Sequence, residues 1–409
     1  MRIRFQHSTK QTFGELTITG SKSESNRLLI LQALFPQLQI ENLSNSDDSQ
    51  VTQQALDSDA SIIDIHHAGT AMRFLTAYFS AQPNREVILT GSQRMQERPI
   101  QLLVDALKDL GAEISYEKNI GFPPLRIKGK KIINKMVALP ANISSQYISA
   151  LMLIAPALEE GLTIQLVGEM TSVPYIKMTQ TILDQLGIET SFKANQIQIK
   201  PAKKIKPAIW VVESDWSSAS YFYAIVALSQ QSKIKLKSYN QESRQGDAAL
   251  SKIYQELGVE TSYGEGGEIT LSKISDFNLT DSINFDLRNT PDLAQTIAVS
   301  CLGLGIGCRL TGLHTLKIKE TDRLSALKIE MEKLGANVAI TDDSLELLPV
   351  SELSSDIVID TYNDHRMAMA FAPLALKTPI IINDSGVVSK SYPDFWNDLE
   401  SLKFSKEII

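Results

Sequence analysis

The chain has 409 residues, 43% of them hydrophobic and 21% charged, and a formal net charge of −7. That length allows two or three domains, each with its own core, and the composition is that of an ordinary globular protein rather than a disordered or fibrous one. The acidic balance disfavours nucleic acid or an anionic membrane as a partner, so any anion site is expected to be a local basic cluster.

The N-terminus, Met1-Arg2-Ile3-Arg4-Phe5, carries no apolar signal region. Apolar runs such as Tyr147 to Leu158 fall short of the roughly 18–20 residues of a membrane span, so a cytoplasmic protein is expected. The first strands, between Ile3 and Thr19, could pair with either half of the chain. Ser21 to Arg27 then opens an apolar helix, Leu28 to Leu34, followed by a short second helix, Val51 to Leu56.

From there a pattern recurs. Apolar helices open at Ala68-Gly69-Thr70, Ser144-Ser145-Gln146, Ser217-Ser218-Ala219, Pro291-Asp292-Leu293 and Asn363-Asp364-His365. With Gly69, Ser145, Ser218, Asp292 and Asp364 as markers, the gaps are 76, 73, 74 and 72 residues. A second helix ends in Leu-Gly at Gly111, Gly187, Gly258 and Gly335, which lie 42, 42, 40 and 43 residues after their markers. Glycine there suits the left-handed residue that closes a helix, and an alternating strand such as Ala336 to Ile340 follows. The last repeat has Leu402-Lys403-Phe404 in that place. With the degenerate first copy this makes six β/α units. They suggest an α/β chain of two domains with three copies each, divided near Val211 to Ser214, after the Lys/Pro-rich run 200–207. Cys301 and Cys308 lie in an apolar stretch and read as reduced core residues. On one continuous helix they would be about 10 Å apart, too far for a disulfide.

Packing explains the Leu-Gly ends but not the charged helix starts. A helix N-terminus offers free N–H groups and partial positive charge to phosphate or carboxylate. Here Lys22, Ser23 and Arg27 occupy the first start, and Gly69, Thr70 and Arg73 the second. Ser144, Ser145 and Gln146 follow on the third, Asp292 on the next and His365-Arg366 on the last. Arg98, Lys319, Arg323 and Lys390 add cations in turn-like contexts, where Arg forks match oxyanions and Lys acts as a point charge. Taken singly, each has a plain reading: a lone cation is usually solvated, and Ser144-Ser145 is a routine cap. Lys319 to Arg323 is a surface ladder on its own. The run Gly303 to Gly307 is weak evidence for a nucleotide, His66-His67 lacks a second pair of metal ligands, and His314 reads as structural. The set as a whole argues for two small phosphorylated anions and no metal.

The segments Lys22 to Arg27, Ala68 to Arg73, Gln96 to Ile100, Ser144 to Gln146, Pro291-Asp292, Lys319 to Arg323, Asn363 to Met369 and Lys390 to Asp394 resemble, in order, the motifs of the 5-enolpyruvylshikimate-3-phosphate synthase family. The resemblance runs from Gly20 to about Phe395. It implies two domains, each with three copies of a β/α unit in an inside-out barrel. Residues 1–20 plus 214–409 would form the phosphoenolpyruvate side and carry the acid/base groups; 21–213 would form the shikimate 3-phosphate side, with the active site in the cleft between them. It implies that Lys22, Ser23, Arg27, Ser144, Ser145, Gln146, Ser172, Tyr175, Asp292, Thr315 and Lys319 hold shikimate 3-phosphate. Lys22, Gly69, Arg98, Gln146, Arg323, Arg366 and Lys390 would hold phosphoenolpyruvate, with Asp292, Glu320 and Lys22 catalytic. No cofactor and a monomer are implied. Nearby cations are expected to keep Asp292 ionised. The chain departs from the family pattern at His67 (usually Asn), Phe74 (usually Pro), Thr315 (usually Asn) and a shortened region from Asp57 to Ile65.

Two rivals have their own signatures. The sister transferase acting on UDP-N-acetylglucosamine usually carries a loop cysteine and a Lys-Asn pair where this chain has Lys22-Ser23. A non-catalytic anion-binding scaffold would lack acid/base groups, yet Asp292 and Glu320 are present. Because cations from both halves would serve one site, an open free form that closes on its anions is expected.

Overall fold

The computed structural model describes residues 1–168 and 170–409. The chain opens with β1 (Ile3–Gln6) and β2 (Gln11–Leu16), followed by α1 (Lys22–Leu34), β3 (Leu38–Glu41) and α2 (Asp47–Leu56). Two full repeats come next. The first comprises β4 (Ile62–Asp64), α3 (Gly69–Ser80), β5 (Glu86–Thr90), α4 (Gln101–Asp109), β6 (Glu113–Tyr116) and β7 (Leu125–Lys128). The second comprises β8 (Met136–Pro140), α5 (Ser145–Ile154), β9 (Leu162–Val167), α6 (Val173–Gln185), β10 (Thr190–Lys193) and β11 (Gln196–Ile199). Then come β12 (Ala208–Val211), α7 (Trp216–Leu228), β13 (Gln231–Lys237), α8 (Leu250–Gln255), β14 (Val259–Gly264) and β15 (Glu268–Lys273). These precede β16 (Ser282–Asp286), α9 (Ala294–Leu304), β17 (Gly307–Thr311), α10 (Arg323–Lys333), β18 (Val338–Ile340) and β19 (Leu345–Leu347). The chain ends with β20 (Ile357–Ile359), α11 (His365–Phe371), β21 (Ile380–Ile382), α12 (Phe395–Ser401) and β22 (Ser405–Ile408).

Two compact units divide the chain: 1–19 with 213–409, and 20–212. Each has its own apolar core. A complete repeat is β-α-β-α-β-β, with its sheet ordered as in β4-β5-β7-β6: one parallel pair, then an antiparallel hairpin. The same order recurs in β8-β9-β11-β10 and β16-β17-β19-β18. The remaining sheets are completed by strands from far along the chain. β2 pairs in parallel with β13, and β12 with β3, so the two strands exchange places relative to chain order. β1 lies between β21 and β22, with Ile3 opposite both Ile382 and Ile408. β1 and β2 both therefore belong to the first unit.

The first helix of each repeat lies inside and the sheets outside. In one unit α1, α3 and α5 touch one another; in the other, α7, α9 and α11 do so. These helices are buried over most of their length, and α5, α7 and α9 are apolar nearly all round, as a helix enclosed by others must be. In α7 only Ser217 escapes full burial. Each second helix except α2, which ends on right-handed Asp57, closes on a left-handed residue. Gly111, Gly187, Gly258 and Gly335 have φ of 103, 83, 79 and 96°, and Lys403 takes the same role at 71°. The bonds Gly111 N–H to the Lys108 carbonyl and Ala112 N–H to the Leu107 carbonyl recur as Lys403 to Glu400 and Phe404 to Leu399.

Two readings of the sequence change here. The second helix of the degenerate copy starts at Asp47 rather than Val51, because Ser46 caps it by accepting from the Ser49 N–H. Cys301 and Cys308 do not share a helix. α9 ends at Leu304 on left-handed Gly305, and Cys308 lies on β17; both thiols are free and buried. The glycine run between them therefore makes a turn, and Gly303 fits closely against Leu228 and Leu374. Among the described residues no helix is long and apolar enough to cross a membrane.

Candidate active site

In the first unit the helix starts converge on Asp292, in the short 3-10 turn Pro291–Leu293 that leads into α9. Its Oδ1 lies 2.9 Å from Arg323 Nη1 and 3.5 Å from Lys319 Nζ, and its Oδ2 lies 3.2 Å from Arg366 Nη2. Arg366 also donates to the Asp292 carbonyl at 3.2 Å. Burial alone would push this carboxyl up. Arg366, Lys319 and Arg323 outweigh burial and hold it well below the usual range, so Asp292 is ionised. Burial pushes the Lys319 ammonium down, against the pull of Asp292.

Arg323, the first residue of α10 and almost wholly buried, organises the cluster. Nη2 reaches Glu320 Oε2 at 2.8 Å, and Nε reaches Asp364 Oδ2 at 2.7 Å. Burial opposes its charge, and Asp364, Glu320 and Asp292 more than restore it. Asp364 is the cap of α11: its Oδ1 accepts the Arg366 N–H at 2.9 Å. Lys390 Nζ donates to the Asn363 carbonyl at 2.5 Å. Thr315 Oγ1 is buried with no hydrogen-bond partner among the described residues.

In the second unit, Lys22 and Ser23 are half-buried in the first turn of α1, which Ser21 caps. Arg27 is buried. Its Nε donates to Thr179 Oγ1 at 2.7 Å, Nη1 to the Ser23 carbonyl at 2.7 Å, and Nη2 to Ser149 Oγ at 3.0 Å and the Tyr175 carbonyl at 3.4 Å. Phe74 lies beneath it, 5.4 Å from ring centre to guanidinium. Burial pulls the Arg27 pKa down to about 10. Arg98 packs directly on Gly69, where a Cβ would come within 2.4 Å of its Nη1; any side chain at 69 would displace the guanidinium. Gln146 donates to Thr70 Oγ1 at 3.3 Å, and Ser144 caps α5 above Ser145. Ser172 precedes α6 in a left-handed conformation, φ 54°, with Tyr175 in the first turn.

A further cation of the second unit, Arg73, is tied into the framework. Arg73 donates to the Gly69 and Pro99 carbonyls, both at 3.1 Å, and so holds the Arg98 segment against α3. Of the departures from the family pattern, His67 Nε2 lies 3.3 Å from Asp47 Oδ2, and Phe74 is the ring under Arg27.

Motif reading missed Asp247. It is buried beside Ser217, which hydrogen-bonds its Oδ2. Burial first, then repulsion from Asp292, pushes its carboxyl up to about 7. The repeat itself holds the signal that finds it. Arg98, Ser172, Asp247, Glu320 and Lys390 lie 29, 27, 29, 28 and 26 residues after their markers. Each occupies the turn before its repeat's second helix. A reading that followed this spacing would have landed on Asp247.

Comparisons with known proteins identify the family. The family profile described as EPSP synthase (3-phosphoshikimate 1-carboxyvinyltransferase) matches residues 51–399. A 3-phosphoshikimate 1-carboxyvinyltransferase of Bacteroides fragilis strain YCH46 is 46% identical over 397 residues, covering 96% of each chain. One of Vibrio atlanticus is 36% identical, covering 95% of this chain and 96% of its own. A solved EPSP synthase of Acinetobacter baumannii shares the fold, with TM-score 0.78 at 20% identity and full coverage of both chains. Both cysteines of this chain are buried, which leaves no loop thiol of the kind expected in the sister transferase. With the profile spanning most of the sequence and close relatives spanning nearly all of it, the chain belongs to the EPSP synthase (3-phosphoshikimate 1-carboxyvinyltransferase) family.

Proposed function

We infer that the chain transfers the enolpyruvyl group of phosphoenolpyruvate to the 5-hydroxyl of shikimate 3-phosphate, releasing phosphate, in the shikimate pathway to chorismate and the aromatic amino acids. The observation that carries this reading is the Asp292 hub: one ionised carboxylate among three cations, with Glu320 on the same arginine.

In the first step the 5-hydroxyl oxygen bonds to C2 of phosphoenolpyruvate. Its proton passes to a base, and C3 gains a proton to become a methyl group. In the second step a proton leaves C3 and phosphate departs with the C2–O electron pair, which restores the double bond. Asp292 acts as the base near the hydroxyl, Glu320 shares the proton transfers, and Lys22 stabilises charge as it develops. No covalent nucleophile is needed.

Shikimate 3-phosphate is held by Lys22, Ser23, Arg27, Ser144, Ser145, Gln146, Ser172, Tyr175, Asp292, Thr315 and Lys319. The buried, unpartnered Thr315 hydroxyl supports its place in that set, since a ligand oxygen would satisfy it. Phosphoenolpyruvate is held by Lys22, Gly69, Arg98, Gln146, Arg323, Arg366 and Lys390. The protein works as a cytoplasmic monomer.

Phosphate release from the two substrates together, and from neither alone, tests the reaction. Asp292→Asn should lower kcat by about 10²–10⁴-fold, the range of a general base. Wild-type activity in that variant would remove Asp292 from its role.

A further inference from the structure

α10 grips the segment leading into α11 at a second point. Two turns along the helix from Arg323 stands Glu330, 0% exposed. Its Oε1 accepts from the Tyr362 hydroxyl at 2.6 Å and Lys333 Nζ at 2.9 Å. Its Oε2 accepts from Lys333 Nζ at 2.7 Å and the Asp360 N–H at 3.1 Å. Lys333 also reaches Asp360 Oδ2 at 2.8 Å and the Val358 carbonyl at 3.2 Å. Both oxygens of a buried carboxylate thus have two donors each, and an anion so paired is a fixed anchor.

The segment it anchors is strained. Tyr362 and Asn363 are both left-handed, with φ of 53 and 55°. Asn tolerates that region, but a bulky aromatic residue rarely enters it. Such a conformation persists only where its surroundings impose it, and the Glu330–Tyr362 bond is the side-chain contact made by Tyr362 itself. The turn has a consequence for the site. It presents the Asn363 carbonyl to Lys390, and it delivers Asp364 to Arg323 and to the N–H of Arg366.

We propose that Glu330 and Tyr362 form a positioning clamp that fixes Lys390 and Arg366, and through them the affinity for phosphoenolpyruvate. The proposal rests on the reaction inferred above. Neither residue touches substrate; both act through the turn at 362–363.

Two variants test it. Tyr362→Phe removes one hydroxyl and keeps the ring. Asn363→Ala, at an exposed position, leaves every bond of the clamp in place but makes the left-handed turn harder to hold. Phosphate release is measured with each substrate varied in turn, alongside thermal melting. In both variants KM for phosphoenolpyruvate should rise about five- to tenfold, with KM for shikimate 3-phosphate within about twofold of wild type. A lowered melting temperature with both KM values unmoved would make Glu330 structural glue and overturn the clamp. Equal rises in the two KM values would overturn it as well. An inactive wild-type protein would sink the reaction and the clamp together, whereas an active one with unmoved variants sinks the clamp alone.

Discussion

Two carboxylates in the first unit are driven apart by their surroundings. Both meet the penalty of burial, but Asp292 has three cations within 3.5 Å and Asp247 has a serine and a carboxylate neighbour. One is held ionised and the other keeps its proton up to about pH 7. Asp247 has a consequence for stability. Unfolded, it ionises near pH 3.9, so the folded state holds this proton more tightly. Its contribution is fully present below about pH 4 and is lost as pH rises through about 7. Asp247→Asn cannot ionise and should therefore help the substrate-free protein most at high pH. Its stability advantage over wild type, from urea denaturation, should be greater at pH 8 than at pH 5 by about 2.5 kcal/mol. An equal advantage at the two pH values would refute this assignment.

At the scale of elements, the repeat turns on one backbone conformation. At Gly187, φ is 83° and an added Cβ would meet no heavy atom within 4 Å, so Gly187→Ala isolates the strain of the left-handed position. It should cost about 1 kcal/mol. Lys403 holds the same position with a side chain, so Lys403→Gly should stabilise, by about 0.5 kcal/mol once glycine's greater unfolded freedom is subtracted. Thermal melts that move in the same direction for both variants would contradict the shared motif. This also explains what could be read from the sequence. Helix periodicity and closing glycines are local signals, and they disclosed the β/α repeat with its order of helices. The partners of β1 and β2 are not local: Ile3 pairs with Ile382 and Gln11 with Gln231, and nothing in residues 1–19 encodes that choice. The start of α2 was misplaced because Asp47 to Gln50 are polar, and the cap at Ser46 outweighs the missing apolar pattern. In the site, residue types disclosed the cations but not their neighbours. Arg73 looks as available as Arg98, and only the packing shows it bonded to the Gly69 and Pro99 carbonyls.

At the scale of the molecule, the cations proposed for one pair of anions are divided between two units. Lys22, Arg27 and Arg98 belong to 20–212; Lys319, Arg323, Arg366 and Lys390 belong to 213–409. The second group is already partly neutralised by Asp292, Glu320 and Asp364. The net attraction for phosphorylated substrates therefore depends on uniting both groups around them, and uniting them without anions costs Coulomb and desolvation energy. A contraction on binding both substrates is the outcome expected of the proposed site. A compact chain of this length has a radius of gyration of about 22 Å. Small-angle scattering should show a decrease of about 1 Å when shikimate 3-phosphate and an unreactive phosphoenolpyruvate analogue are both present, and less with either alone. Added salt should raise the substrate concentrations needed for that contraction, because the driving charges are screened before the units close. Equal radii with and without the two ligands would mean that the cations are already assembled in the free protein. The cost of their assembly would then have to be met by the folded chain itself, and Arg323→Lys, which loses the fork that serves Asp292, Glu320 and Asp364 together, should destabilise even the ligand-free protein.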